Sequence, residues 1–258
     1  MALQEMMVDQ QEVPLPAMFA RPDGLRLAVR HRQGAGPTIL FLPGYMSDME
    51  GGKVVALDRW AAASGRAILR FDYAGTGASE GRFEDGTLAG WRDDALLLLD
   101  ALIEGPVVLV GSSMGGWIAL LIALARPDRI AAIIGVAAAP DFTDWGFTEA
   151  EKALLLTEGR IVEPSDYGDA PRVTTRGFWQ SGQALRLLAA PLGIDVPVRL
   201  LQGQADDVVP WETALRIAQR LCSSDVQTLL IKDGDHRLSR DADIALLIDT
   251  VASLPDHP

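Results

Sequence analysis

Gly111-Ser112-Ser113-Met114-Gly115 fits the pattern G-x-S-x-G, with Ser113 at its centre. A hydroxyl flanked by glycines can be lifted bare out of a tight turn, where it could attack a carbonyl carbon; the plain alternative is a turn without chemistry. An alcohol is a weak nucleophile until a base takes its proton, so a histidine is required. The chain has three. His31 falls in an early hairpin pattern and reads as a surface strand residue, while His257 is the penultimate residue. His236, in "KDGDHRLS", follows the last strand pattern and precedes the last helix pattern. Elimination leaves His236 as the base.

An imidazole that must accept a proton needs a carboxylate to orient it and to stabilise its charged form. "LLQGQADDVVPW" offers Asp206 and Asp207 directly after a strand pattern. The G-x-x-D-x-x-V-P spacing from Gly203 favours Asp206, with Asp207 as a surface residue or a supporting partner. Asp235 adjoins His236, and neighbouring side chains seldom face each other. Two main-chain donors for a tetrahedral oxyanion are expected at the N–H groups of Met114, which follows the nucleophile, and Tyr45, in "ILFLPGYMSD". A side-chain change at Tyr45 would then alter pocket shape and leave the donor in place.

These residues need elements that bring them together. Short continuous apolar runs, "TILFLP", "AILRFDY", "PVVLVG", "IAAIIGVA", "PVRLLQG" and "VQTLLIK", read as strands buried on both faces. Amphipathic or apolar helical patterns over 53–64, 87–103, 114–125, 212–221 and 241–254 alternate with them, which predicts a parallel sheet covered on each side. Asp23-Gly24 between two alternating runs predicts a hairpin before the sheet proper. Residues 1–14 read as a loose arm and 15–258 as one domain. About 55 residues separate "IIGVAAAP" from "PVRLLQG", too long for a plain crossover. This stretch, about 140–192, is expected to form a short helical cap over the sheet's C-terminal edge. Its Trp145, Phe147, Phe178 and Trp179, with Met46 at the pocket edge, would either line an apolar acyl site or fasten the cap to the core. Tyr167 belongs to the same stretch.

Ser, Asp and His in that order, each after a separate strand, is the α/β-hydrolase arrangement, so the expected fold is a mostly parallel central sheet flanked by helices. "FLPGYMSDMEGGK", "RFDYAGTGASEG", "GSSMGGW", "DDVVPW" and "DGDHRLS" resemble the α/β-hydrolase domain-containing protein 10 family from about Leu25 onward. The resemblance implies Ser113, Asp206 and His236 as the triad and hydrolysis of long-chain thioesters, such as palmitoyl thioesters, or of acyl glucuronides. It suits a bacterial relative of a family with mitochondrial members. The glycines of "DYAGTGASEG" read as a structural turn beside the site. On the same triad, C–C bond hydrolysis or perhydrolysis is the rival chemistry, and a small-ligand receptor that has kept the fold is the rival class.

Composition narrows the partners. Of 258 residues, 48% are hydrophobic and 22% charged, and the net charge is −12. Such an acidic chain repels phosphate backbones and anionic lipid, so neither nucleic acid nor membrane insertion is expected. The single cysteine, Cys222, permits no internal disulfide and no cysteine metal site. No cofactor and no metal are expected. The start "MALQEMMVDQQEVP" has neither a basic-then-apolar pattern nor arginine enrichment, so the expected location is the cytoplasm.

Overall fold

Alternation within the strands already assigns their two faces. In a computed structural model, which describes residues 15–164 and 171–254, Ile39 and Phe41 point to one side of the sheet and Leu40 and Leu42 to the other, all buried. The arm at 1–14, Tyr167 and His257 lie outside the described residues. In chain order the elements are β1 (Ala17–Ala20), β2 (Arg26–Arg32), β3 (Ala35–Leu42), α1 (Gly52–Ser64), β4 (Arg66–Phe71), α2 (Leu88–Leu102), β5 (Val107–Ser112), α3 (Met114–Ala125) and β6 (Ile130–Val136). Then come α4 (Phe142–Trp145), α5 (Glu149–Thr157), β7 (Arg160–Glu163), β8 (Arg172–Thr175), α6 (Arg176–Ala184), β9 (Val198–Gly203), α7 (Glu212–Arg220), β10 (Val226–Ile231) and α8 (Asp241–Ala252).

Eight strands form one sheet in the order β1-β2-β4-β3-β5-β6-β9-β10. The six strands from β4 to β10 in that order pair in parallel, and β1–β2 is the antiparallel hairpin anticipated at Asp23-Gly24, joined antiparallel to β4. Gly24 makes that turn at a φ of +90°, open to glycine without steric cost. One face of the sheet packs on α1 and α8 through Val54, Leu57, Leu247 and Val251. The other packs on α2, α3 and α7 through Trp91, Leu98, Trp117, Ala214 and Ile217.

Helix α3 is buried on every side from Met114 to Ala123. It lies between the sheet and α2, which explains why "MGGWIALLIA" shows no polar stripe. Residues 137–197, between β6 and β9, hold α4, α5 and α6, and also the antiparallel pair β7–β8. The sequence reading expected helices alone there. Two four-residue strands rich in β-branched residues (Ile161, Val162, Val173, Thr174) are too short, and too interspersed with arginine and glutamate, to show an alternation against that background.

Candidate active site

The turn between β5 and α3 holds Ser113 at φ +54°, ψ −118°, a conformation that costs a non-glycine residue about 1–3 kcal/mol. Its neighbours show how that strain is tolerated. A Cβ on Gly111 would overlap Gly115 O, and one on Gly115 would overlap Leu42 O at the end of β3. Both glycines of the motif are therefore demanded by backbone crossing at van der Waals contact. Ser113 N donates to Val136 O at 2.9 Å, tying the turn to β6.

The loop after β10 brings His236 to this turn, and the loop after β9 brings Asp206 to His236. His236 Nε2 lies 3.1 Å from Ser113 Oγ, and His236 Nδ1 lies 3.0 Å from Asp206 Oδ2. Both loops bend where glycine permits contact, since a Cβ on Gly203 would overlap Gly234 O. The Asp206 side chain has no exposed surface, and that of His236 is 15% exposed. Asp206 Oδ1 accepts from Val208 N (2.9 Å) and Val209 N (2.8 Å), and Oδ2 accepts from Gln202 Nε2 (2.9 Å). Burial opposes ionisation of Asp206, but the bonds from His236, Val209 and Val208 outweigh it and hold the carboxyl below its ordinary range. Asp207 is exposed. Asp235 turns back to accept Leu238 N at 2.9 Å, away from the ring. His31 sits on β2, three strands from β5, beside Gln33.

The main chain at Gly44 abuts the nucleophile: a Cβ there would stand 3.3 Å from Ser112 O and 3.4 Å from Ser113 Cβ. This places the Tyr45 amide close to the same turn as the Met114 amide, which opens α3. Neither amide has an acceptor among the described residues. The Tyr45 side chain does more than shape a pocket. Its hydroxyl donates to Val173 O on β8 at 2.6 Å, and its ring packs against Phe83, Trp91, Phe142 and Phe178. Burial pushes its phenol up to about 12. Four residues further on, two groups from β4 and its end hold Met49 from both sides. Arg70 donates to Met49 O (2.6 Å) and Asp72 accepts from Met49 N (2.7 Å). The sequence alone singles out neither Arg70 nor Gln202, and reads Asp72 only as the start of a structural turn. A polar residue at the end of an apolar strand run was the signal that could have found them.

Of the five residues expected to meet substrate, Phe147 and Phe178 both pack on Phe142. Met46, at φ +57°, lines a cavity of about 180 Å³ with Ser47, Asp48, Thr76 and Phe83. Phe178 is buried in the aromatic cluster, and Phe147 stacks on Phe142. Trp145 donates to Pro140 O and Trp179 to Thr143 O, both at 2.9 Å, within the segment between β6 and β9. A second cavity, of about 380 Å³, runs from Gly44 and Ser112 to Lys53 and Arg237. Among the described residues no cluster of three or more His, Cys, Asp or Glu could hold a metal ion, and no helix is long and apolar enough to cross a membrane.

A mostly parallel sheet with serine on the turn after β5, aspartate after β9 and histidine after β10 is the plan of the α/β hydrolases. The chain belongs to that family and is a hydrolase: the Alpha/beta hydrolase family model matches residues 39–249. Within it, the sequence is 40% identical over 240 residues to the human mitochondrial palmitoyl-protein thioesterase ABHD10, covering 92% of this chain and 78% of that one. The bovine protein of that name is 39% identical over 244 residues, 93% of this chain and 80% of its own. The structure of mouse α/β-hydrolase domain-containing protein 10 superposes with a TM-score of 0.87 at 38% identity, covering 94% of this chain and 98% of that one. These matches place the chain in the α/β-hydrolase domain-containing protein 10 family that its motifs resemble. The curated relatives are mitochondrial by name, and lend the cytoplasmic expectation no support.

Proposed function

We propose that this hydrolase cleaves acyl esters and thioesters through a covalent acyl-enzyme on Ser113. The observation that carries the reading is the unbroken relay from Ser113 Oγ through His236 to Asp206, at 3.1 and 3.0 Å. Ser113 Oγ attacks the acyl carbon while His236 Nε2 takes its proton. The oxyanion forms beside the Tyr45 and Met114 amides. His236 then returns the proton to the departing thiolate or alkoxide, and a water activated by the same ring hydrolyses the acyl-enzyme. Asp206 stays ionised and keeps the proton on Nδ1.

The segment 137–197 serves as the cap over this centre, and the acyl chain runs from Ser113 toward it. Because the relatives are named palmitoyl-protein thioesterases, long-chain S-acyl thioesters are the first substrates to try. A fluorophosphonate probe should label the wild type and leave Ser113→Ala unmarked. Butyryl, octanoyl and palmitoyl thioesters should be turned over by the wild type, with Ser113→Ala at least about 10,000-fold slower. An unlabelled wild type would leave the small-ligand receptor as the better account. Preference for the butyryl ester would remove the long acyl site and keep the hydrolase.

A further inference from the structure

Gln202 is the penultimate residue of β9 and has no exposed surface. Leu200 and Leu201 before it enter the apolar clusters on opposite faces of the sheet. The two-residue period therefore sends the Gln202 side chain to the face of Leu200, where leucine would fit with no polar atom to satisfy. Its Nε2 instead donates to Asp206 Oδ2 at 2.9 Å, the same oxygen that meets His236 Nδ1 at 3.0 Å. Its Oε1 is buried with no partner. An unpaired buried amide oxygen is a standing cost to folding. Turning the amide over gives no relief, since Oε1 would then face the carboxylate oxygen. The amide is thus fixed chiefly by Asp206, with longer contacts from Nε2 to Gly203 O and Val209 O (both 3.4 Å), at the expense of its own second half.

We infer that Gln202 is a positioning residue of the triad, holding Asp206 Oδ2 on the line to His236 Nδ1 and occupying a lone pair that would otherwise draw on the imidazolium proton. The inference deepens the serine-hydrolase reading and rests on it. With Gln202 in place, each carboxylate oxygen has two donors: Val208 and Val209 on Oδ1, Gln202 and His236 on Oδ2. Without Nε2 the carboxylate gains rotational freedom and becomes more basic. The doubly protonated ring, which cannot take the proton of Ser113, is then favoured.

Gln202→Met keeps the volume and removes the donor. The expected result is a kcat about 10-fold lower with KM within about two-fold. The acid limb of the kcat/KM profile should move up by about half a pH unit or more. The low-field proton resonance of the His236–Asp206 bond should shift as well. Gln202→Glu supplies a carboxylic acid that donates to Oδ2 while neutral and repels it once ionised. Its profile should gain an alkaline limb that the wild type lacks if the amide is what holds Oδ2. Tm and circular dichroism measure folding separately, because a purely structural glutamine would lower Tm while leaving the limb and the resonance in place. A profile and a resonance that both superimpose on the wild type in Gln202→Met would overturn the inference. If the wild type itself fails to label at Ser113, the hydrolase reading falls; the resonance, which needs no turnover, still decides whether Gln202 governs the bond between Asp206 and His236.

Discussion

Asp206 shows how much can be asked of one side chain. Its carboxylate has no exposed surface, yet the bonds it accepts hold it ionised below the ordinary carboxyl range. A group with a depressed folded-state value adds stability above its unfolded value, about 3.9, and that stability is lost as pH falls through the folded value. Asp206→Asn carries no such charge. The difference in urea-unfolding free energy between wild type and Asp206→Asn should therefore shrink as pH drops from 5 toward about 3. Two curves that stay parallel over that range would show that the carboxylate is no better held folded than unfolded. The same variant should lose about 10,000-fold in kcat, because an amide can hold the ring in the wrong tautomer. At this scale the sequence singles out Ser113, Asp206 and His236 by type and order, and the structure brings these three side chains together. The sequence alone assigns no place to Gln202 or Arg70 and reads Asp72 only within a structural turn, since what these residues touch is settled only after folding.

At the scale of elements, the turn before α3 is held together by contacts in which glycine has no substitute. A methyl group on Gly115 meets the carbonyl oxygens of both Leu42 and Pro43. Main chain at the end of a central strand cannot step aside as a flexible side chain would. Gly115→Ala is expected to lower stability by about 1–3 kcal/mol and to abolish fluorophosphonate labelling of whatever remains folded. Gly52, at the start of α1, has nothing within 4 Å of an added Cβ. Gly52→Ala should be neutral or stabilising by up to about 1 kcal/mol. Thermal unfolding of the pair checks both; equal losses would mean that crowding at the turn is not what selects glycine. Tyr45 adds a link between elements, since its neighbour Gly44 abuts the Ser113 turn while its hydroxyl reaches β8. Tyr45→Phe removes that one bond and should lower kcat more than it raises KM in thioester assays; a change confined to KM would assign the hydroxyl to substrate binding. The strands of the main sheet were legible as continuous apolar runs, and the helices around it as amphipathic or apolar patterns of helical length. The pair β7–β8 was not, being four residues a side with the two strands set apart in sequence.

Across the whole molecule, the segment between β6 and β9 is fastened at its two ends and its middle. Asp141, 5% exposed, accepts Leu187 N at 2.7 Å and Leu188 N at 2.8 Å, so the start of the segment holds its return. Trp117 of α3 donates to Leu185 O at 3.1 Å, and Tyr45 reaches Val173 O. Fastenings that join the segment both to itself and to the catalytic half predict a docked cap whose opening is costly. Asp141→Ala leaves two amides without acceptors, each costing about 1–3 kcal/mol where it stays buried. The chain can avoid that penalty by letting the amides reach water, which means releasing the segment and leaving the sheet intact. Hydrogen exchange should then show 176–192 losing protection in Asp141→Ala while β5 and α3 keep theirs. Labelling of Ser113 should slow as Tyr45 loses its anchor. If protection fell uniformly along the chain, the segment would be an inseparable part of one cooperative core, and its role as a separately opening cap would have to be abandoned.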